Sequence, residues 1–425
     1  MKKIFLLLLI SVLLLAACSS KSDSGKKEST GKDDNVITVW AWDPNFNIAA
    51  LNIAKEFYDG KEEIKIVENA QDDIVQKLNT GLSSGTLKGL PNIVLIEDYR
   101  AQSFLKAYPD AFFPLTDYIN PKDFADYKIK TTSFNGKQYG LPFDTGVTGL
   151  YIRTDYIKEA GYTVEDFTNI TWDQFVEMGK VIKEKTGKYM LTLDPNDLGQ
   201  IRMMIQTAGK WYLKEDGATP DLAENSALKE AFQIYKKMYE SGIAKTVTDW
   251  SQFVGAFNSG DVVSVPSGNW LTPSIKAEKS QSGKWAVVPI PRLSAENAVN
   301  ASNLGGSSWY VLNLPGKEKA AEFLAKTFGS NVDFYQKLVS EVGAIGTYLP
   351  ATKGENYTKG DEFFGGQPII SDFSKWLEEV PSVNYGMHTY AIEDILVNEM
   401  QNYLNGKDLD KVLQDAQKQA ESQLH

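Results

Sequence analysis

The sequence predicts an α/β protein, and three short stretches early in its folded part carry that prediction. Ile37 to Trp42 alternates apolar positions and reads as a strand. Ile64 to Val67 reads as a second strand, and Asn92-Ile93-Val94-Leu95-Ile96 as a third, a continuous apolar run suited to burial on both faces. Between them lie two helical patterns. Phe46, Ala50, Ile53 and Phe57 recur on one side of a segment from about Asn45 to Tyr58, and Ile74, Leu78 and Leu82 mark the next. Two βα units feeding a third strand imply a parallel sheet with right-handed crossovers.

The chain before these elements is set apart by composition. Lys2 and Lys3 precede an apolar run from Ile4 to Ala17, which is 14 residues long. A membrane-spanning helix needs roughly 20, so residues 1–17 are expected to be an export signal. The run ends in Leu15-Ala16-Ala17-Cys18, which resembles the lipobox of bacterial lipoproteins. That resemblance implies cleavage before Cys18 and a diacylglyceryl group on its sulfur. Cys18 is the only cysteine, so no intrachain disulfide exists. Residues 18–35 then form the lipidated cysteine and a polar tether, SSKSDSGKKESTGKDDN, with nothing apolar to pack.

Past the third strand, Tyr139 to Gly146 is turn-rich and Val147 to Arg153 returns to strand character. Helical patterns follow at Trp172–Lys185 and Leu228–Tyr239. Val262 to Val265 is strand-like and runs into Pro266-Ser267-Gly268-Asn269-Trp270. A second turn-to-strand passage spans Gly305 to Val311, and the rest is mostly helical to Gln423. No internal repeat stands out.

Removing the signal takes the formal charge from −11 to −13, and the remaining length suits two or three lobes. An acidic chain argues against nucleic acid, which rewards clustered Lys and Arg. The two histidines are His388 and the terminal His425, so histidine acid–base work and clustered zinc ligation have little to draw on. No GxSxG elbow or GxxxxGK[ST] loop is present.

In parallel sheets ligands bind beyond the carboxyl ends of the strands. The first strand ends in Trp42 and Asp43, the second in Glu68, Asn69 and Gln71, the third in Glu97, Asp98 and Tyr99. Rings with carboxylates and amides match a saccharide. Aromatic faces meet its C–H patches, and charged acceptors bind its hydroxyls roughly twice as strongly as neutral ones.

The lipobox, YGLPFDTGVTGLYIRTD (Tyr139–Asp155), TWDQFVEMGK (Thr171–Lys180), AFNSGDVVSVPSGNW (Ala256–Trp270) and GGSSWYVLN (Gly305–Asn313) occur in an order that resembles extracellular solute-binding proteins of carbohydrate-importing ABC transporters, the group that includes maltose-binding protein. The opening VWAWDPNFN is most similar to members that take lactose- or arabinose-type sugars. The resemblance implies a periplasmic-binding-protein-like clamp of two α/β lobes, each a mostly parallel sheet flanked by helices. Residues 36–145 and 307–350 would form one discontinuous lobe, 146–306 and 351–425 the other. The chain would cross near Asp144–Val147, Gly306–Ser308 and Leu349–Thr352, where hinge bending closes the lobes on ligand. It further implies a monomer outside the cytoplasmic membrane, held only by its lipid anchor, that hands sugar to two permease subunits. No cofactor, metal or catalytic residue is implied.

Candidate ligand contacts are Trp42, Asp43, Asn69, Glu97, Asp98, Asp144, Trp211, Asn269, Trp270, Gly306, Ser307, Trp309, Trp376 and Tyr385. Several have a plainer reading. Asp43-Pro44 suits a helix cap followed by proline at the first helical position, and Trp40 and Trp172 suit core packing. The rival functions are a secreted glycoside hydrolase, which needs two carboxylates about 5–10 Å apart, and a metal or other-solute receptor on the same plan.

Overall fold

The computed structural model describes residues 35–424. The signal, Cys18 and nearly all of the tether lie outside them. In chain order the first elements are β1 (Val36–Ala41), α1 (Asn47–Glu56), β2 (Glu63–Glu68), α2 (Gln71–Ser83), β3 (Ile93–Glu97), α3 (Asp98–Ala107) and α4 (Asp126–Thr132). A small hairpin, β4 (Ser133–Phe134) and β5 (Lys137–Gln138), leads to β6 (Gly140–Pro142). Then come β7 (Thr148–Arg153), α5 (Thr154–Glu159), α6 (Trp172–Thr186), β8 (Leu191–Leu193), α7 (Gly199–Thr207), α8 (Ser226–Glu240), β9 (Ala244–Thr246) and α9 (Trp250–Asn258). β10 (Ser264–Gly268), α10 (Thr272–Lys276), β11 (Trp285–Pro289) and β12 (Ser307–Val311) follow. The chain closes with α11 (Lys317–Lys326), α12 (Val332–Val342), α13 (Glu355–Thr358), α14 (Ile369–Glu379), α15 (Thr389–Leu404) and α16 (Leu409–Gln423).

Two sheets organise two lobes. The larger has strand order β2-β1-β3-β12-β6 and the smaller β10-β7-β11. The expectation of parallel pairing holds for β1 with β2 and β3. It fails for the smaller sheet, in which both pairings are antiparallel, and β12 also runs antiparallel to β3 and β6. The error has a physical cause. Every residue of β7, β10 and β12 is buried, and strands covered on both faces lose the period-2 alternation by which antiparallel strands are recognised.

One face of the larger sheet packs Val94, Ile96 and Tyr310 against Ile74, Leu78 and Phe104. Its other face packs Val39, Leu95 and Trp309 with Leu51, Phe143, Phe328 and Phe334. A separate core gathers Leu150 and Ile152 of β7 with Trp172, Met190, Met203, Phe232, Leu396 and Val412. α6 shows how local sequence sets an element. Thr171 and Gln174 form a reciprocal capping box at its start, and Gly187, at φ 71°, ends it.

The segments joining the sheets lie side by side. Asp144 bridges Gly346 and Val147 bridges Asn303. The N–H of Phe143 donates to Ser307 O at 3.2 Å, and that of Thr347 donates to Phe143 O at 3.1 Å. Gly146 takes φ 60° there, and a Cβ on it would fall 2.8 Å from both Gly306 N and Leu304 O. Only glycine fits that approach.

Candidate functional site

At the end of β1 the backbone turns before α1 begins. Asp43 does not cap that helix: its Oδ1 accepts from Asn45 N–H at 2.8 Å, and α1 starts at Asn47 with no side-chain cap. Asn47 reaches back instead, its Oδ1 accepting from the N–H groups of Trp42 and Asp43 at 3.2 and 3.1 Å. That holds Trp42 half-buried at the strand end, where it lines a recess with Gln71, Glu97 and Arg100.

β3 passes directly into α3, and the junction delivers four polar side chains in a row. Glu97 Oε2 accepts from Tyr390 Oη of α15 at 2.6 Å, and Arg100 lies 3.6 Å from the same oxygen. The Arg100 guanidinium sits over the Tyr390 ring, 4.0 Å from its centroid. Arg202 of α7 approaches the rings of Tyr99 and Tyr390 at 5.3 and 5.5 Å. It is ion-paired to Glu393 and, at 3.3 Å, to Asp197. Burial pushes the Glu97 carboxyl above the usual range, against the opposing pull of Tyr390 and Arg100.

The crossing segment joins this cluster to a pair of tryptophans. Tyr99 Oη donates to Asn303 O and accepts from Gly305 N–H, at 3.3 and 3.2 Å. Trp270, in the single turn after β10, donates from Nε1 to Leu304 O at 2.8 Å. Its ring is partly open, and Trp250 lies beside it with centroids 6.1 Å apart and planes inclined 35°. Trp250 is 55% exposed, the largest exposed ring among the described residues. Four polar atoms near these groups are buried with no hydrogen-bond partner: Arg100 Nε, Arg202 Nε, Gln200 Oε1 and Asn269 Nδ2. Each such atom costs about 1–3 kcal/mol unless something satisfies it.

Other candidates sit elsewhere. Trp309 is buried at 0% exposure between Phe143 and Phe328, both rings 5.4 Å away, so it is core and not wall. Trp211 and Tyr385 pack on one another and on Tyr99, with Trp211 Nε1 donating to Thr389 Oγ1 at 2.9 Å. They floor an open cavity of about 660 Å³ whose other walls include Gln102, Thr131, Phe134, Lys210 and Asn384. Trp376 is half-buried on Phe373 in α14. Asn69 Oδ1 accepts from Lys77. Asn269 Oδ1 accepts from Thr145 Oγ1 at 3.1 Å. Asp98, Asp144, Gly306 and Ser307 are buried together at the crossing, where both Asp98 oxygens and Asp144 Oδ1 are taken up by Lys128, Ser308 and Ser307. Sequence reasoning missed Arg100, Arg202, Tyr390 and Glu393, all of them on helices. The available signal was an arginine next to the strand-end trio Glu97-Asp98-Tyr99.

Comparison with known proteins places these features in a family. Residues 50–360 match the bacterial extracellular solute-binding protein family. This chain belongs to that family. It is 45% identical over 392 residues to a lactose-binding protein of Rhizobium radiobacter, covering 91% of this chain and 93% of the relative. Among solved structures it is similar to the GacH receptor of Streptomyces glaucescens GLA.O, known unliganded and with acarbose (TM-score 0.75, 18% identity, 92% and 98% of the two chains). It is also similar to an ABC transporter-associated binding protein from B. animalis subsp. lactis in complex with β-1,6-galactobiose (TM-score 0.74, 21% identity, 91% and 96%). This solute-binding protein therefore has the two-lobed fold of ABC-transporter sugar receptors, and among its described residues no helix is long and apolar enough to cross a membrane.

Proposed function

We propose that this solute-binding protein is a non-catalytic receptor that captures a di- or oligosaccharide, with lactose-type sugars first among them, and delivers it to an ABC importer. The observation that carries the reading is the open Trp250–Trp270 pair joined, through Leu304 and Gly305, to a cluster of Glu97, Arg100, Arg202 and Tyr390 with unpartnered buried donors. Rings would stack on sugar faces, and the idle N–H groups would take hydroxyls. On this reading Trp42, Glu97, Trp270 and Asn269 Nδ2 would contact the sugar, together with Arg100, Arg202 and Tyr390. The 660 Å³ cavity is the weaker choice, because Trp211 and Tyr385 are each 2% exposed and offer it no open face.

The lobes would be residues 36–145 with 307–350, and 146–306 with 351–425, closing on ligand that touches both. Cys18 would carry the lipid anchor that keeps the receptor outside the cytoplasmic membrane beside its permease, which the lipobox supports. The decisive experiment is calorimetric titration with lactose, arabinooligosaccharides and maltose. Saturable binding of lactose with the sugar recovered intact is expected. Cleavage of the sugar, or binding to none of the three, would overturn the reading.

A further inference from the structure

Three charged side chains that the proposed sugar site does not use are sealed in where the chain crosses between sheets. Asp98 opens α3, Lys128 lies on α4, and Asp144 follows β6; their exposures are 1%, 0% and 5%. The Lys128 ammonium donates to Asp98 Oδ2 and to the carbonyl of Ser307 at 3.0 Å. Asp98 Oδ1 accepts from Ser308 Oγ at 2.9 Å, and Asp98 N–H donates to Gly306 O at 3.0 Å. Asp144 Oδ1 accepts from both the N–H and the Oγ of Ser307, the latter at 2.8 Å. Ser307 and Ser308 are thus gripped by charge-assisted bonds, the strong kind, and the Gly306 carbonyl beside them takes a neutral bond from the Asp98 N–H.

Gly306 shows how close the grip is. At φ 88° it has no side chain to interpose, and a Cβ there would lie 3.1 Å from Asp98 Oδ2 and 3.3 Å from Lys128 Nζ. One residue earlier the bonding changes character. Asn303 to Gly305 are held by neutral partners: Tyr99 Oη, Tyr385 Oη at 3.3 Å, Trp270 Nε1, and Gly146 O at 2.8 Å from Leu304 N. Neutral bonds of this kind exchange readily for others, whereas a buried ammonium that lets go of both its acceptors has nowhere to go.

We propose that Lys128, held between Asp98 and the Ser307 carbonyl and backed by Asp144, is a positioning residue that clamps Gly306 and the start of β12, Ser307–Ser308, onto α3 and α4, so that in this passage closure bends the chain at Asn303–Gly305 and no further along. The clamp touches no ligand. It acts through the segment that carries both Tyr99 and Trp270, and so sets how the two halves of the sugar site meet. This consequence rests on the sugar reading; the location of the bend does not.

The test uses the full chain and two measurements. Hydrogen exchange of peptides spanning 303–311 reads the clamp without any sugar, and titration with lactose reads its effect on the site. Lys128→Met should speed exchange of residues 306–311 tenfold or more relative to α16, and weaken lactose at least tenfold. The double variant Lys128→Met/Asp98→Asn, which removes both charges of the pair, should recover part of each loss. Lys130→Met, on the exposed side of α4, should change neither. If Lys128→Met does not fold, Ser308→Ala removes one clamp contact alone and should speed the same peptides several-fold. Exchange that rises evenly over the whole chain, or stays slow at 306–311 in a folded variant, overturns the proposal. Lactose failing to bind the unaltered protein would instead count against the sugar reading and leave the exchange result to decide the clamp.

Discussion

At the scale of single residues, the proposed site would divide its work between rings that are held by their edges and cations that are only partly satisfied. Trp270 is pinned by its Nε1 to Leu304 O and leaves its face to Trp250 and solvent. Truncating such an anchored ring removes about 2 kcal/mol or more of binding. Trp270→Ala is therefore expected to weaken lactose by roughly 30-fold or more, while Lys210→Ala, in the 660 Å³ cavity, leaves affinity unchanged. Calorimetry on the two variants checks both, and a reversed pattern would move the site. Arg100 carries a second prediction. Its guanidinium stacks on Tyr390, and its Nε is ion-paired with Glu97 at 3.6 Å without a hydrogen bond. A lysine cannot copy the planar fork, so Arg100→Lys should lose affinity by at least tenfold with a melting temperature close to the parent's. Trp309 marks the limit of reading residues one at a time. It follows the glycine-rich crossing as a ligand wall would, yet β12 is central in its sheet and turns the ring into the core between Phe143 and Phe328.

Among elements, the opening βαβαβ run was legible because each piece shows its period in the sequence: β1 to β3 and α1 and α2 all lie within a few residues of the stretches that predicted them. What stayed hidden depends on contacts far along the chain. α3 begins at Asp98, the very residue read as a strand end, and that hid Arg100 as a helix-borne partner of Tyr390, 290 positions later by number. The antiparallel sense of β7, β10 and β11 was equally invisible, since burial on both faces erases alternation. The crossing elements carry two predictions of their own. Gly146→Ala must place a side chain at φ 60° against backbone atoms 2.8 Å away, which should cost about 1–3 kcal/mol of stability, measurable by chemical denaturation. The second concerns pH. Asp98 and Asp144 both face the single ammonium of Lys128, with Tyr127 and Ser307 around them, and burial raises both carboxyls above their usual range. Tyr127 is itself pushed upward and stays protonated. Two buried carboxylates with one cation hold their protons longer when folded than when unfolded. Stability then falls as pH rises above the ordinary carboxylate value of 3.8 and levels off once the folded groups have ionised. Denaturation of Asp144→Asn should show a flatter decline above about pH 4 than the parent. An equal slope in the two proteins would mean that Asp144 ionises in the fold as easily as outside it.

For the whole molecule, the two sheets and the bundle of passages between them turn local contacts into a clamp. Residues 144–147, 303–307 and 346–347 run side by side, so any relative motion of the sheets must pass through all of them. Ligand that touches Glu97 and Arg100 beyond the larger sheet, and Trp270 beyond the smaller, gains its full set of contacts in one arrangement only, and its binding energy is what selects that arrangement. Mass action then fixes the size of the effect. Sugar at 100 times its Kd stabilises the folded state by about 2.7 kcal/mol. The unfolding entropy is roughly 2.1 cal/mol/K per residue. Over the 390 residues described this gives a rise in melting temperature of about 3 °C. Lactose should produce that rise together with a smaller radius of gyration in solution scattering. The two readouts separate causes. A ligand that stabilises without compaction binds one lobe, and Trp270→Ala should then fail to alter its effect if that lobe is the one carrying Glu97. Compaction that survives Trp270→Ala but is lost in Lys128→Met would locate the control of closure in the clamped crossing and not in the ring that lines the site.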